Sequence, residues 1–151
     1  MTAVVTAGAG FLLAVLWLDL IFDVQVVRHR DSRAALPESV LASISRYYRR
    51  ATTEAQPMGA LIAAVMLSTL VAIGVQIADG DSPALVGPIA FVLAGTAIAV
   101  AGLRTVPAAV RLGTRLDPPD VQSQLARSIC RDHVLCFAAI TSVLAIELAW
   151  G

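Results

Sequence analysis

A chain of 151 residues that is 58% hydrophobic and only 15% charged is too apolar for an ordinary soluble domain. Its mean hydropathy of +0.78 points to a protein of the bilayer. The 11 basic residues, all Arg, are balanced by 11 acidic ones, and a net charge of zero argues against a nucleic-acid partner.

A membrane-spanning helix needs about 20 mostly apolar residues, because the hydrocarbon core is about 30 Å thick and a helix rises about 1.5 Å per residue. Four segments meet that requirement, at about 3–27, 58–78, 83–103 and 134–150. They predict an all-α, four-helix integral membrane bundle in a single domain over 1–151.

The first span ends VLWLDLIFDVQVVRHR, and so carries Asp19 and Asp23. No basic residue precedes Arg28, so the segment lacks the charged start of a signal peptide and reads as a retained helix. The two aspartates are about 40° apart around a helix and share one face. A carboxylate near the bilayer centre costs about 2.5–3.5 kcal/mol on insertion scales, so both should face the bundle and find partners there. His29 is turned roughly 80–120° away from them. Trp17 lies deep beside Asp19, where it would pack or line a cavity for a flat apolar ligand.

After the span, Pro37 followed by ESVLASISRYYRRATTEA predicts a helical extension over about 38–56, to the break expected at Pro57. Arg46, Arg50 and Glu54 fall at i, i+4 and i+8 along one face of it. Tyr47 and Tyr48 beside them read as interfacial anchors, as does Trp150 at the far end. The second and third spans carry no charge, and DGDSP joins them. Small residues in AGAG at 7–10, GALIAA at 59–64 and at Gly87, Gly95 and Gly102 read as sites of close helix packing.

The second long connection contains LDPPDVQSQLARSICRDH, a helical extension over about 119–133 that runs unbroken into the fourth span. Cys130 and Cys136 are about 240° apart on that helix, cannot pair within it, and fit no metal motif. Glu147 should lie near the outer headgroups. An offset of 81 residues matches Arg30 with Arg111, Pro37 with Pro118, Val40 with Val121, Arg46 with Arg127 and Arg50 with Arg131, as a duplicated hairpin would. It also sets Asp23 against Arg104.

All the arginines lie in the two long connections, in 28–50 and 104–131. The positive-inside rule then predicts a bacterial-type plasma-membrane protein with both termini outside. At the cytoplasmic end the residues expected to converge are Asp19, Asp23, Glu54, Arg104 and His133. A salt-bridge network holding the bundle together is one reading of this set. A second is a cytosol-facing catalytic site with Asp19 and Asp23 as acid/base or ligand groups, His133 and Arg104 supporting them, Arg104 as an electrostatic partner, and Trp17 and Glu54 as cofactor- or ligand-lining residues. Asp19, Asp23, Glu54 and His133 are also the candidate metal ligands, although the Glu-x-x-His pair of di-metal bundles is absent. The residues name no cofactor.

The stretch RTVPAAVRLGTRLDPPDVQSQLARSICRDHVLCF carries Thr105, Val106, Leu116, Asp117, Pro118, Arg127, Arg131 and His133. It resembles the helix 3–4 junction of the anthrone-oxygenase-like family of small four-helix membrane proteins. The resemblance implies oxidation of a flat, lipophilic aromatic without an obvious cofactor. Two other functions remain open: a non-enzymatic subunit of a larger membrane complex, and an ion or proton transporter component. The expected partners are membrane lipid, a lipophilic small molecule, other membrane subunits or a second copy of the chain.

Overall fold

The computed structural model describes residues 1–29, 34–54, 56–81 and 83–150, with the backbone alone at 56. Arg30 and Arg33 of the first Arg cluster, and with them the Arg30–Arg111 match, lie outside the described residues. The described residues are helical with no strand. In order they form α1 (Thr2–Val27), α2 (Glu38–Arg49), α3 (Gln56–Asp79), α4 (Val86–Val100), α5 (Val106–Thr114) and α6 (Pro119–Trp150).

Four helical stretches are long and apolar enough to cross a membrane: Thr2–Val27, Pro57–Asp79, Val86–Thr114 and Pro119–Trp150. The chain is therefore an all-α bundle of a multi-pass membrane protein. Each of the four packs on two neighbours, α1 on α3 and α6, and α4 on α3 and α6, which closes them into a ring. The third stretch runs past the expected end at 103, because α4 and α5 are joined by a π-helical turn, Ala101–Thr105.

A second π-helical turn, Arg50–Glu54, follows α2. Each π turn stands just before a proline, Pro57 or Pro107. A proline ring clashes with the carbonyl four residues earlier, here at Thr53 or Leu103, and a widened turn relieves that clash, between α4 and α5 without ending the helix. Thr105 bonds back to the Val100 carbonyl (3.3 Å) across one such turn.

Polar bonds bind the Arg-rich end together. α2 is amphipathic and rests on α5, burying Leu41, Ile44 and Tyr48 beside Leu112, Ala126 and Ile129. The Leu36 N–H donates to Ser123 Oγ (2.8 Å), and Arg127 Nη2 donates to the Ala34 carbonyl (2.9 Å). Arg115 adopts a left-handed φ of 58° to end α5, and its guanidinium pairs with Glu38 at the start of α2. Arg111 grips Asp117 with two bonds of 2.8 and 2.7 Å, a bidentate pair across the turn into α6.

Not every glycine earns its place by packing, contrary to the expectation from the small-residue runs. Gly10, Gly59 and Gly102 have open space where a Cβ would be. Gly8 differs: an added Cβ would lie 2.1 Å from Thr69 Oγ1, so it sets the approach of α1 to α3. Substituting Gly8→Ala should lower the thermal midpoint in detergent, at a cost of about 1–3 kcal/mol for an overpacked contact. Gly10→Ala should leave the midpoint unchanged or raise it. Equal effects of the two changes would contradict the packing described for α1 and α3.

Candidate functional site

The four-residue spacing of Asp19 and Asp23 turns both carboxylates of α1 toward the crossing of α2 and α6. Asp23 is fully buried there. Its Oδ2 accepts a hydrogen bond from His133 Nδ1 on α6 (2.7 Å), and its Oδ1 accepts one from the Tyr48 hydroxyl on α2 (2.6 Å). Asp19 lies one turn earlier in α1 and is partly exposed. Its Oδ1 accepts a bond from the Tyr47 hydroxyl (2.6 Å), and its Oδ2 lies 3.8 Å from His133 Nε2.

Three helices thus supply one linked series: Tyr48, Asp23, His133, Asp19, Tyr47. An ionised carboxylate can only accept, so the bond to Asp23 assigns the hydrogen to Nδ1 of His133 and directs Nε2 at Asp19. Phe22 stacks on Tyr47 with ring centroids 3.9 Å apart and fixes that phenol from the far side. The Cys130 thiol donates to the Asp23 carbonyl (3.9 Å), and both cysteines are free and buried, as their spacing requires.

Asp19, Asp23 and His133 therefore come together as expected, and the other candidates are placed differently. Arg104 pairs with Asp132 (3.3 Å), the residue before His133, rather than with Asp23. The π turn at 101–105 carries Arg104 toward α6, so it touches the series only through its neighbour. Glu54 is exposed and pairs with Arg49 (3.2 Å). On a helix Tyr48 lies about 200° from Arg46, so the stripe of Arg46, Arg50 and Glu54 runs along the side of α2 turned away from the buried Tyr48. Arg46 and Arg50 are both exposed.

Trp17 is 59% exposed, lying against Phe137 (ring centroids 6.2 Å apart) on the outside of the bundle, so it lines no cavity beside Asp19. Without Glu54 the metal set does not assemble. Among the described residues no group of three or more His, Cys, Asp and Glu side chains is arranged to hold a metal ion. His29 stays apart, bonded through Nδ1 to the Gln25 carbonyl (3.0 Å).

The two tyrosines were legible only as anchors, yet they are the donors that satisfy the aspartates. The available signal was the i, i+3, i+7 pattern Leu41, Ile44, Tyr48, which puts Tyr48 on the buried face of α2. Glu147 stands at the opposite end of the bundle, where it is buried and accepts a bond from Gln76 Nε2 of α3 (3.1 Å).

Both phenols are held well above their ordinary value near 10, chiefly by burial, and then by the charge of the aspartate each one donates to. In the unfolded chain they ionise near pH 10, so their contribution to stability is intact below that pH and declines as pH rises above it. Tyr47 and Tyr48 are the chain's 2 tyrosines, so ultraviolet tyrosinate absorbance reports on this site alone. At about pH 11 the folded protein should show no tyrosinate signal, which should appear only together with loss of helical circular dichroism. A free titration near pH 10 with the helices intact would contradict the arrangement.

Comparison of the chain with protein-family models, with curated proteins and with solved structures gives no match.

Proposed function

We propose that this is a multi-pass protein of a bacterial-type plasma membrane, with both termini outside. In this reading its Arg-rich, cytosol-facing end carries an acid/base site for a lipophilic small molecule that enters from the bilayer. The orientation rests on the arginines, all of which lie in the two connections at that end.

The observation that carries the chemistry is the imidazole held between two carboxylates. Asp23, buried and bonded to Nδ1, fixes the tautomer and ring orientation of His133, as the carboxylate does in a carboxylate–His pair that serves as base. Nε2 is then the basic nitrogen, and Asp19 at 3.8 Å stabilises the imidazolium formed when it takes a proton. The Nε2 to Oδ2 separation exceeds hydrogen-bond reach and leaves Asp19 able to meet a substrate hydroxyl or C–H acid. Tyr47 holds the other oxygen of Asp19. Arg104 supports the site by neutralising Asp132 beside the imidazole.

An oxygenase-like enzyme would use the proton abstraction to make a substrate anion that dioxygen oxidises. The anthrone-oxygenase-like resemblance favours that version.

A non-enzymatic subunit of a larger membrane complex is the second reading. A groove of about 530 Å³ between α1 and α3, lined by Ala3, Ala7, Gly8, Ala64, Val65 and Ser68 among others, favours it by offering a partner helix a close seat. A proton-carrying role has less support. Between His133 and Glu147 on α6 the buried side chains include Ala9, Leu12, Ala97, Cys136, Ile140 and Val143. The Thr69 hydroxyl among them is bonded back to the Val65 carbonyl (2.8 Å), and no described carboxylate or imidazole is buried in between.

Anthrone serves as the probe for turnover, followed in detergent under air. The wild type should consume it, and His133→Gln or Asp19→Asn should slow consumption by roughly 10²–10⁴-fold with helicity unchanged. Wild-type rates in both variants would sink the acid/base reading. Purification from native membranes at fixed stoichiometry with other chains, and without turnover, would favour the subunit.

A further inference from the structure

Along α6 runs a face that no other helix covers, made by Gln124, Ser128, Arg131, Leu135, Ala138 and Ser142 at three- and four-residue intervals. Its character changes abruptly along its length. The N-terminal part holds a concavity of about 220 Å³ lined by Gln124, Arg127, Ser128 and Arg131. From the next turn onward the face is apolar: Val134 and Leu135 are exposed, and the Ser142 hydroxyl is absorbed by the Ala138 carbonyl (2.9 Å).

We infer that this face binds one anionic phospholipid, its phosphate in the concavity and an acyl chain along Leu135, Ala138 and Ser142. The lining chemistry is that of a phosphate site: two guanidinium groups, a hydroxyl and a carboxamide, with no carboxylate among the described lining residues. Arg131 is the exposed cation of the lining, and Arg127 stands beside it, held in position by its bond to the Ala34 carbonyl.

Depth supports a lipid over a free anion. The rise along α6 from Arg131 to Trp150 is about 28 Å, close to the thickness of the hydrocarbon core of about 30 Å. With the exposed Trp150 at one interface, Arg131 lies at the headgroups of the other. A free phosphate would use the basic concavity and leave the adjoining apolar face without a role; a phospholipid uses both.

The test is native mass spectrometry of the full chain in mild detergent, with equal amounts of phosphatidylglycerol and phosphatidylcholine. Wild type should retain phosphatidylglycerol in preference, at one per chain. Arg131→Gln, or Ser128→Leu, which fills the concavity, should lower that retention about tenfold. Arg46→Gln, which removes an equal charge from the exposed side of α2, should keep it. Equal loading of the two lipids, equal losses in Arg131→Gln and Arg46→Gln, or wild-type loading in Ser128→Leu would overturn the proposal. Excess inorganic phosphate should fail to displace the lipid; displacement would make this a free-anion site and refute the lipid assignment.

Discussion

Asp23 has no exposed surface, and it lies within a helix apolar enough to cross a membrane. A carboxylate there must be fully supplied with donors, because an unpaired buried polar group costs about 1–3 kcal/mol and a charged one more. Tyr48 and His133 supply those donors, and they come from different helices. Meeting the needs of one side chain therefore determines where α2 and α6 stand against α1. The Asp19–Tyr47 bond repeats the arrangement one turn away, and the Phe22–Tyr47 stack closes it on the remaining side.

The two prolines make this meeting possible. A straight continuation of α2 into α3 would demand a carbonyl where the Pro57 ring sits, and the same holds for Pro107 between α4 and α5. A π turn stands before each proline, and between α4 and α5 it keeps the chain helical. Glu54, at the end of the first turn, pairs with Arg49, and Arg104, within the second, pairs with Asp132. The ties from Ala34, Leu36 and Glu38 to Arg127, Ser123 and Arg115 then hold α2 over the end of the bundle. Polar bonds tie this end together, while the opposite end has the buried pair Gln76–Glu147 and an open groove among its described features.

Patterns within one helix were legible from the residues. Apolar length located four spans, the i, i+4 aspartates implied a shared inward face, and His133 lay at the correct end to meet them. What depended on the relation between helices was not. Whether a tyrosine beside arginines anchors to headgroups or turns inward is decided by where α2 lies, and nothing local in RYYRR decides it. Arg104 was set against Asp23 by the 81-residue offset, whereas it pairs with Asp132 on α6. Glu54 was placed by depth alone, whereas its stripe lies on the exposed side of α2. The partner of Glu147, Gln76, lies on another helix, far away in sequence. The helix starts at Glu38 and Pro119 do stand at the 81-residue offset, yet a π-helical turn follows α2 before Pro57 while α6 runs unbroken.

The account turns on which nitrogen of His133 carries the proton and what it is bonded to. Nitrogen-15 NMR of the histidine-labelled protein, with a His29→Gln variant isolating His133, reads this directly. The account predicts a hydrogen on Nδ1 in a strong, far-downfield bond that disappears in Asp23→Asn. A neutral ring protonated on Nε2, or an Nδ1 signal indifferent to Asp23, would contradict it.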